Sequence, residues 1–189
     1  MKKIFIVSIG LMITQIGFAA QNSKTFWGEV SLGYGRSIGD YGKNYDMLHS
    51  NADNMYMASL KAKAGYYVIP QLSLGVGVGL SGYHNPNVNT LPVFLEARYN
   101  VKFLSGLFSF LNAGTSLSAL GVGAFQSGGI IGAGAGYSIK TGRRTALNIS
   151  VGYDALLYKQ TAVYLFTDEV AYSEMRHRHT MFLQLGFEF

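Results

Sequence analysis

Seven ionisable residues of this chain fall on one parity of a long alternating pattern: Glu29, Lys61, Lys63, Glu96, Arg98, Asp154 and Glu188. Opposite charges spaced this way meet only if extended strands close around them. The chemistry on offer is then a buried salt-bridge network or a charged constriction in a narrow pore. A second group is Arg176-His177-Arg178-His179. Two histidines two apart on a strand need a third convergent ligand to hold a metal, and none is visible, so no metal is expected. The simpler reading is an external basic rim that meets anionic headgroups. A third group sets His84, His177 and His179 near Ser81, Ser127, Ser173 and Glu174, the types needed for hydroxyl nucleophile, base and orienting acid. No recognisable motif orders them, so no catalytic residue is assigned. Gly77-Val78-Gly79-Leu80-Ser81-Gly82 matches a dinucleotide fingerprint in letters only. That motif requires a helix to follow, and here the alternation continues to Asn85-Pro86-Asn87. No cofactor is expected.

The elements that must position these groups are written in the composition. The chain has 189 residues, room for one domain, with 13% charged, 14% aromatic and 24 glycines. An ordinary soluble domain carries about 25% charged residues, so this chain cannot easily coat a globule wetted on all sides. The absence of cysteine excludes a disulfide scaffold and a thiolate metal site. Lys2 and Lys3, the apolar stretch Ile4 to Ile16 and Gly17-Phe18-Ala19-Ala20 read as a cleavable signal peptide over 1–20, cut after Ala19 or Ala20. The mature domain is then 21–189. Removing Lys2 and Lys3 from the 15 basic residues leaves 13 against 10 acidic, a charge of +3 that argues against nucleic acid.

From Phe26 onward the pattern has period two, in eight stretches. The third is the cleanest: Leu72, Leu74, Val76, Val78 and Leu80 against Ser73, Gly75, Gly77, Gly79 and Ser81. The first runs over 26–35, and the last sets Met181, Leu183, Leu185, Phe187 and Phe189 against Thr180, Gln184, Gly186 and Glu188. The fifth is the weakest, because Phe108 and Phe110 break its parity. Each stretch is near the ~10 residues of a tilted membrane strand. Connections alternate between short ones (Val68 to Gln71, Lys102 to Leu107, Lys140 to Arg144) and mostly longer polar ones. This predicts an all-β, eight-stranded antiparallel up-and-down transmembrane β-barrel; the alternative is ten strands, with Thr161 to Phe166 forming part of a further pair.

Parity decides which side meets lipid. The non-apolar rank is mostly Gly and Ser, too poor in charge for a wetted surface, so the apolar rank faces outward. Tyr66, Tyr99, Tyr137, Phe187 and Phe189 then form an aromatic girdle at the short-turn end. Glu29 and Glu188 lie on strands that become neighbours on closure, and repel unless Lys63 or Arg98 stands between them. A plugging network over these charges is preferred to a conducting constriction.

At this point the chain resembles the small outer-membrane protein β-barrel domain family, of the OmpX and OmpA-transmembrane-domain type. The residues carrying the resemblance are Tyr-Val-Ile-Pro at 67–70, Leu-Pro-Val-Phe-Leu-Glu-Ala-Arg-Tyr at 91–99, Gly-Ala-Gly-Ala-Gly-Tyr at 132–137 and the terminal Leu-Gly-Phe-Glu-Phe. Leu183, Leu185, Phe187 and Phe189 are similar to the family's insertion signal. The resemblance implies residence in the bacterial outer membrane with both mature termini periplasmic. It also implies lipid and lipopolysaccharide as surroundings, with periplasmic chaperones and the barrel assembly machinery as transient partners. It is nearly silent on activity. Tyr-rich loops over Tyr41–Met57 and Tyr158–Tyr172 suit an external protein or glycan ligand. The expectation is a non-enzymatic envelope or surface-interaction protein; the alternatives are a porin-like channel for small solutes and a lipid A-modifying enzyme.

Overall fold

The computed structural model describes residues 26–41, 54–85, 88–118, 128–163 and 170–189. The signal-peptide expectation at 1–20, most of the first external loop, Ser127 and the side chains of Ser173 and Glu174 lie outside the described residues.

Alternation of Leu, Val and Tyr with Gly and Ser gives eight strands: β1 (Phe26–Tyr41), β2 (Tyr56–Ile69), β3 (Leu72–Tyr83), β4 (Val88–Asn100), β5 (Leu107–Ser118), β6 (Gly128–Lys140), β7 (Ala146–Val163) and β8 (Val170–Glu188). They pair antiparallel in sequence order and close between β1 and β8 into a barrel. The ten-strand alternative therefore falls: Thr161 to Val163 lengthen β7 and pair with β8, giving the extended hairpin that the same residues also permitted. Strands β1, β7 and β8 outrun their expected limits at the end opposite the short turns.

The register fixes the bore. Followed through its pairs, Glu29 leads via Lys63, Gly77, Phe94, Gly114, Ile130, Leu156 and Arg178 back to Asp40, eleven residues along β1. One of those is the extra residue of a bulge between Ser37 and Gly39, so the shear is ten. With ~4.7 Å between strands and ~3.3 Å rise per residue, eight strands at this shear tilt by about 41° and give a backbone radius of about 8 Å. That bore holds side chains and little else.

Volume, more than polarity, selects the inward rank. Five inward aromatics each pair across strands with a glycine: Trp27 with Gly65, Phe94 with Gly77, Phe110 with Gly134, Phe108 with Gly136 and Phe182 with Gly152. A Cβ on any of these glycines would collide with its partner's ring. Phe108 and Phe110 therefore do not break the parity of β5. They lie inward, nearly buried, in space that their glycine partners leave empty.

The outer face is predominantly apolar, with Arg36 exposed beside Tyr56 at one end. Leu32, Leu95 and Leu111 are each about two-thirds exposed, and Val76, Val151 and Met181 more than half. In water such a surface would aggregate; against hydrocarbon it is the stable arrangement. Two aromatic belts bound it. Tyr66, Tyr99, Tyr137 and Phe187 project outward at the short-turn end, where Phe26 packs edge-on against Tyr66. At the other end Tyr34 stacks on Tyr56 and Tyr56 on His84, while His179 sits between Tyr41 and Tyr153. Tyr66 and Tyr56 are ten residues apart on β2, which at this tilt is about 25 Å of height, the thickness of an outer-membrane apolar band.

Candidate functional site

The lumen contains all seven charged residues of the first group, in two layers, and a third charged layer that the sequence had not marked. The lowest layer comes from β1, β2, β4, β7 and β8. Register sets Glu29 directly opposite Glu188. Arg98 stands between them, its guanidinium 2.7 Å from Glu29 and 2.8 Å from Glu188, and 3.1 Å from Glu96. Lys63 bridges Glu29 at 2.6 Å and Glu96 at 3.3 Å. Asn148 Nδ2 donates to both opposed carboxylates, at 2.7 and 2.9 Å, completing the answer to their repulsion. The Arg98 guanidinium is held between the rings of Trp27 and Phe108, 4.2 and 4.7 Å from their centroids. Such stacking suits the planar, weakly hydrated guanidinium better than an ammonium.

Above it lies the phenylalanine layer. Lys61 reaches Asp154 at 3.4 Å, with its ammonium over the Phe94 and Phe182 rings. Phe110 packs between Phe108 and Phe182.

The third layer closes the half away from the short turns. Asp40 accepts from Arg176 Nε at 3.0 Å, from Arg178 at 3.1 to 3.2 Å and from the Tyr158 hydroxyl at 2.7 Å. Arg178 also donates to the Asn85 carbonyl at 2.7 Å and lies over the Tyr83 ring. Met57 and Leu156 seal the cluster. This corrects the expected basic rim. Arg176 and Arg178 are 1% and 0% exposed, inside the barrel, whereas His177 is exposed and His179 packs among outward tyrosines. The reason is parity. β8 runs on to Val170, and both arginines share the rank of Gln184 and Glu188.

Asp40 and Tyr158 were missed because both sat in presumed loops. Asp40 shares Tyr34's parity and would face lipid in an unbroken strand. The extra residue between Ser37 and Gly39 turns it inward. Gly39 was the available signal, since an interior strand glycine marks a bulge or close approach; here the Tyr41 ring lies against it.

The catalytic constellation is not assembled among the described residues. Ser81 faces the lumen, buried, while the nearby His84 ring stacks on outward Tyr56, on the opposite side of the wall. Tyr153 Oη contacts His179 Nδ1, which ties that histidine to the belt. No group of three metal-ligating side chains occurs among the described residues. Leu183, Leu185 and Phe187 alternate outward towards the short-turn end, where Phe189 exchanges two backbone hydrogen bonds with Gly28 and lays its ring over it.

No family profile matches the chain, and no curated protein matches it. Solved structures do. The outer membrane protein AlkL, determined in lipid bilayers, is 14% identical with a TM-score of 0.54, over 88% of this chain and 90% of its own. Neisserial surface protein A is 15% identical with a TM-score of 0.51, over 84% of this chain and 95% of its own. The fold of this chain is that of a small outer-membrane β-barrel.

Proposed function

We propose that this chain is a non-enzymatic resident of the bacterial outer membrane, of the OmpX and OmpA-transmembrane-domain kind. In this reading its closed, rigid barrel anchors external loops for envelope structure or surface interaction. One observation carries it: the bore is crossed at three heights, by the Arg98 network, by the phenylalanine layer and by the Asp40 cluster. A solute would have to break a buried ion pair at each of them, and breaking one such pair from one side costs about 3–5 kcal/mol. The likeness to AlkL and Neisserial surface protein A agrees with the location and leaves activity open. Residence there gives lipid and lipopolysaccharide as neighbours, with both mature termini periplasmic, and assigns the C-terminal Leu183, Leu185, Phe187 and Phe189 rank to recognition during insertion.

The test is planar-bilayer recording on the refolded chain, beside mass spectrometry of lipid A incubated with it. A silent barrel and unchanged lipid A are expected. Steady single-channel currents altered by Arg98→Ala would establish the channel instead, and loss of an acyl chain from lipid A would establish an enzyme.

A further inference from the structure

The periplasmic mouth has a property that neither lumen nor loops require. A cavity of about 440 Å³ lies inside it, bounded by the turn between β4 and β5, the turn between β6 and β7, and the floor formed by Arg98 and Glu188. That volume is within the range of small-ligand sites, about 300–1,000 Å³. Lys102 projects from the first turn, and Lys140, Arg143 and Arg144 from the second, all four exposed and all four lining the cavity. No acidic residue occurs within 101–106 or 140–145. The one carboxylate on the lining, Glu188, is already engaged by Arg98 and Asn148 at 2.8 and 2.9 Å.

The mouth is also ordered. Ser138 N donates to Gly106 O at 2.7 Å, which ties the two turns together, and Thr141 N donates to Thr145 O at 3.0 Å. Gly106 has φ +93°, where a side chain is strained, and an added Cβ would lie 2.7 Å from Ser138 O. Four like charges held around one concavity repel unless an anion sits among them. Two arginines and two lysines suit a phosphate, which takes several charge-assisted hydrogen bonds and matches the guanidinium fork. The Tyr66, Tyr99 and Tyr137 belt puts this mouth at headgroup level.

We propose that the cavity bounded by Lys102, Lys140, Arg143 and Arg144 is a binding site for a phosphate anion, either the headgroup of an anionic phospholipid of the adjacent leaflet or free phosphate. Trp27 is the only tryptophan and stacks on Arg98 at the cavity floor, so its emission reports on occupancy.

The experiment refolds the barrel into phosphatidylcholine vesicles with increasing phosphatidylglycerol, and in a second arm adds inorganic phosphate to barrels in phosphatidylcholine alone. Native mass spectrometry counts retained phospholipid in parallel. A saturating Trp27 response with selective phosphatidylglycerol retention is expected. In Arg143→Gln/Arg144→Gln its midpoint weakens about thirtyfold, near what two surface cations contribute at an anionic interface; in Lys159→Gln, at the far end, it does not move. A response to the lipid alone assigns the headgroup; a response to phosphate as well assigns the free anion. Equal retention of both lipids with a flat Trp27 signal in both arms would overturn the site, as would a double variant that binds like the parent.

Discussion

Replacing Arg98 by Met keeps the apolar stem between Trp27 and Phe108 and deletes the charge. In the parent, three carboxylates (Glu29, Glu96, Glu188) meet two cations (Lys63, Arg98), a local charge of −1. In Arg98→Met they meet Lys63 alone, a charge of −2, with Glu29 and Glu188 still opposed in register. Glu29 and Glu96 are almost wholly buried, so their loss is undiluted by solvent; Glu188 is 19% exposed and contributes least. Leaving a buried charge without its partner costs about 3–5 kcal/mol, and at an m-value of about 2 kcal/mol per molar that lowers the urea midpoint by roughly 1.5–2.5 M. The assay is urea unfolding of the barrel refolded in lipid vesicles. Adding Glu96→Gln returns the local charge to −1, so the double variant should regain roughly 1–2 kcal/mol, within the coupling range for direct contacts. If Arg98→Met unfolds within about 0.5 kcal/mol of the parent, or Glu96→Gln costs the same in both backgrounds, the network does not hold the bore together.

Asp40→Asn should destabilise by a similar ~3–5 kcal/mol, because it removes the charge of a buried carboxylate that Arg176 and Arg178 both contact; urea unfolding of this variant measures it, and an unchanged midpoint would refute the Asp40 layer. Gly77→Val should cost about 1–3 kcal/mol through its clash with the Phe94 ring, and Phe94→Ala in the same chain should recover part of the loss. Leu95→Arg, at the middle of the lipid-facing rank, should cost about 2–4 kcal/mol in vesicles, whereas equal stability of the two proteins there would mean that the outer face has been assigned to the wrong side.

The glycine-rich alternation of β3 leaves few answers other than a narrow barrel with its greasy rank outward, and β3 indeed folds so. Glu29, Lys63, Arg98 and Glu188 were legible as one layer because side-chain direction on a strand is local and strictly alternating. Phe108 and Phe110 were not, because the space they fill is defined by Gly136 and Gly134 on another strand. Arg176 and Arg178 carried the right parity, but where β8 ends depends on its partner β7, which no local pattern states.

The primary sequence thus determined side-chain alternation and the polarity of each rank, since these follow from period-two geometry within one segment, whereas the choice of eight strands over ten waited for the β7–β8 pairing. Shear, and with it the bore, was decided only by closure of β8 on β1, which aligns Asp40 with Arg178. The bulge that points Asp40 inward, the glycine opposite each inward ring and the meeting of two basic turns around one mouth are relations between distant strands, and exist only once the barrel has closed.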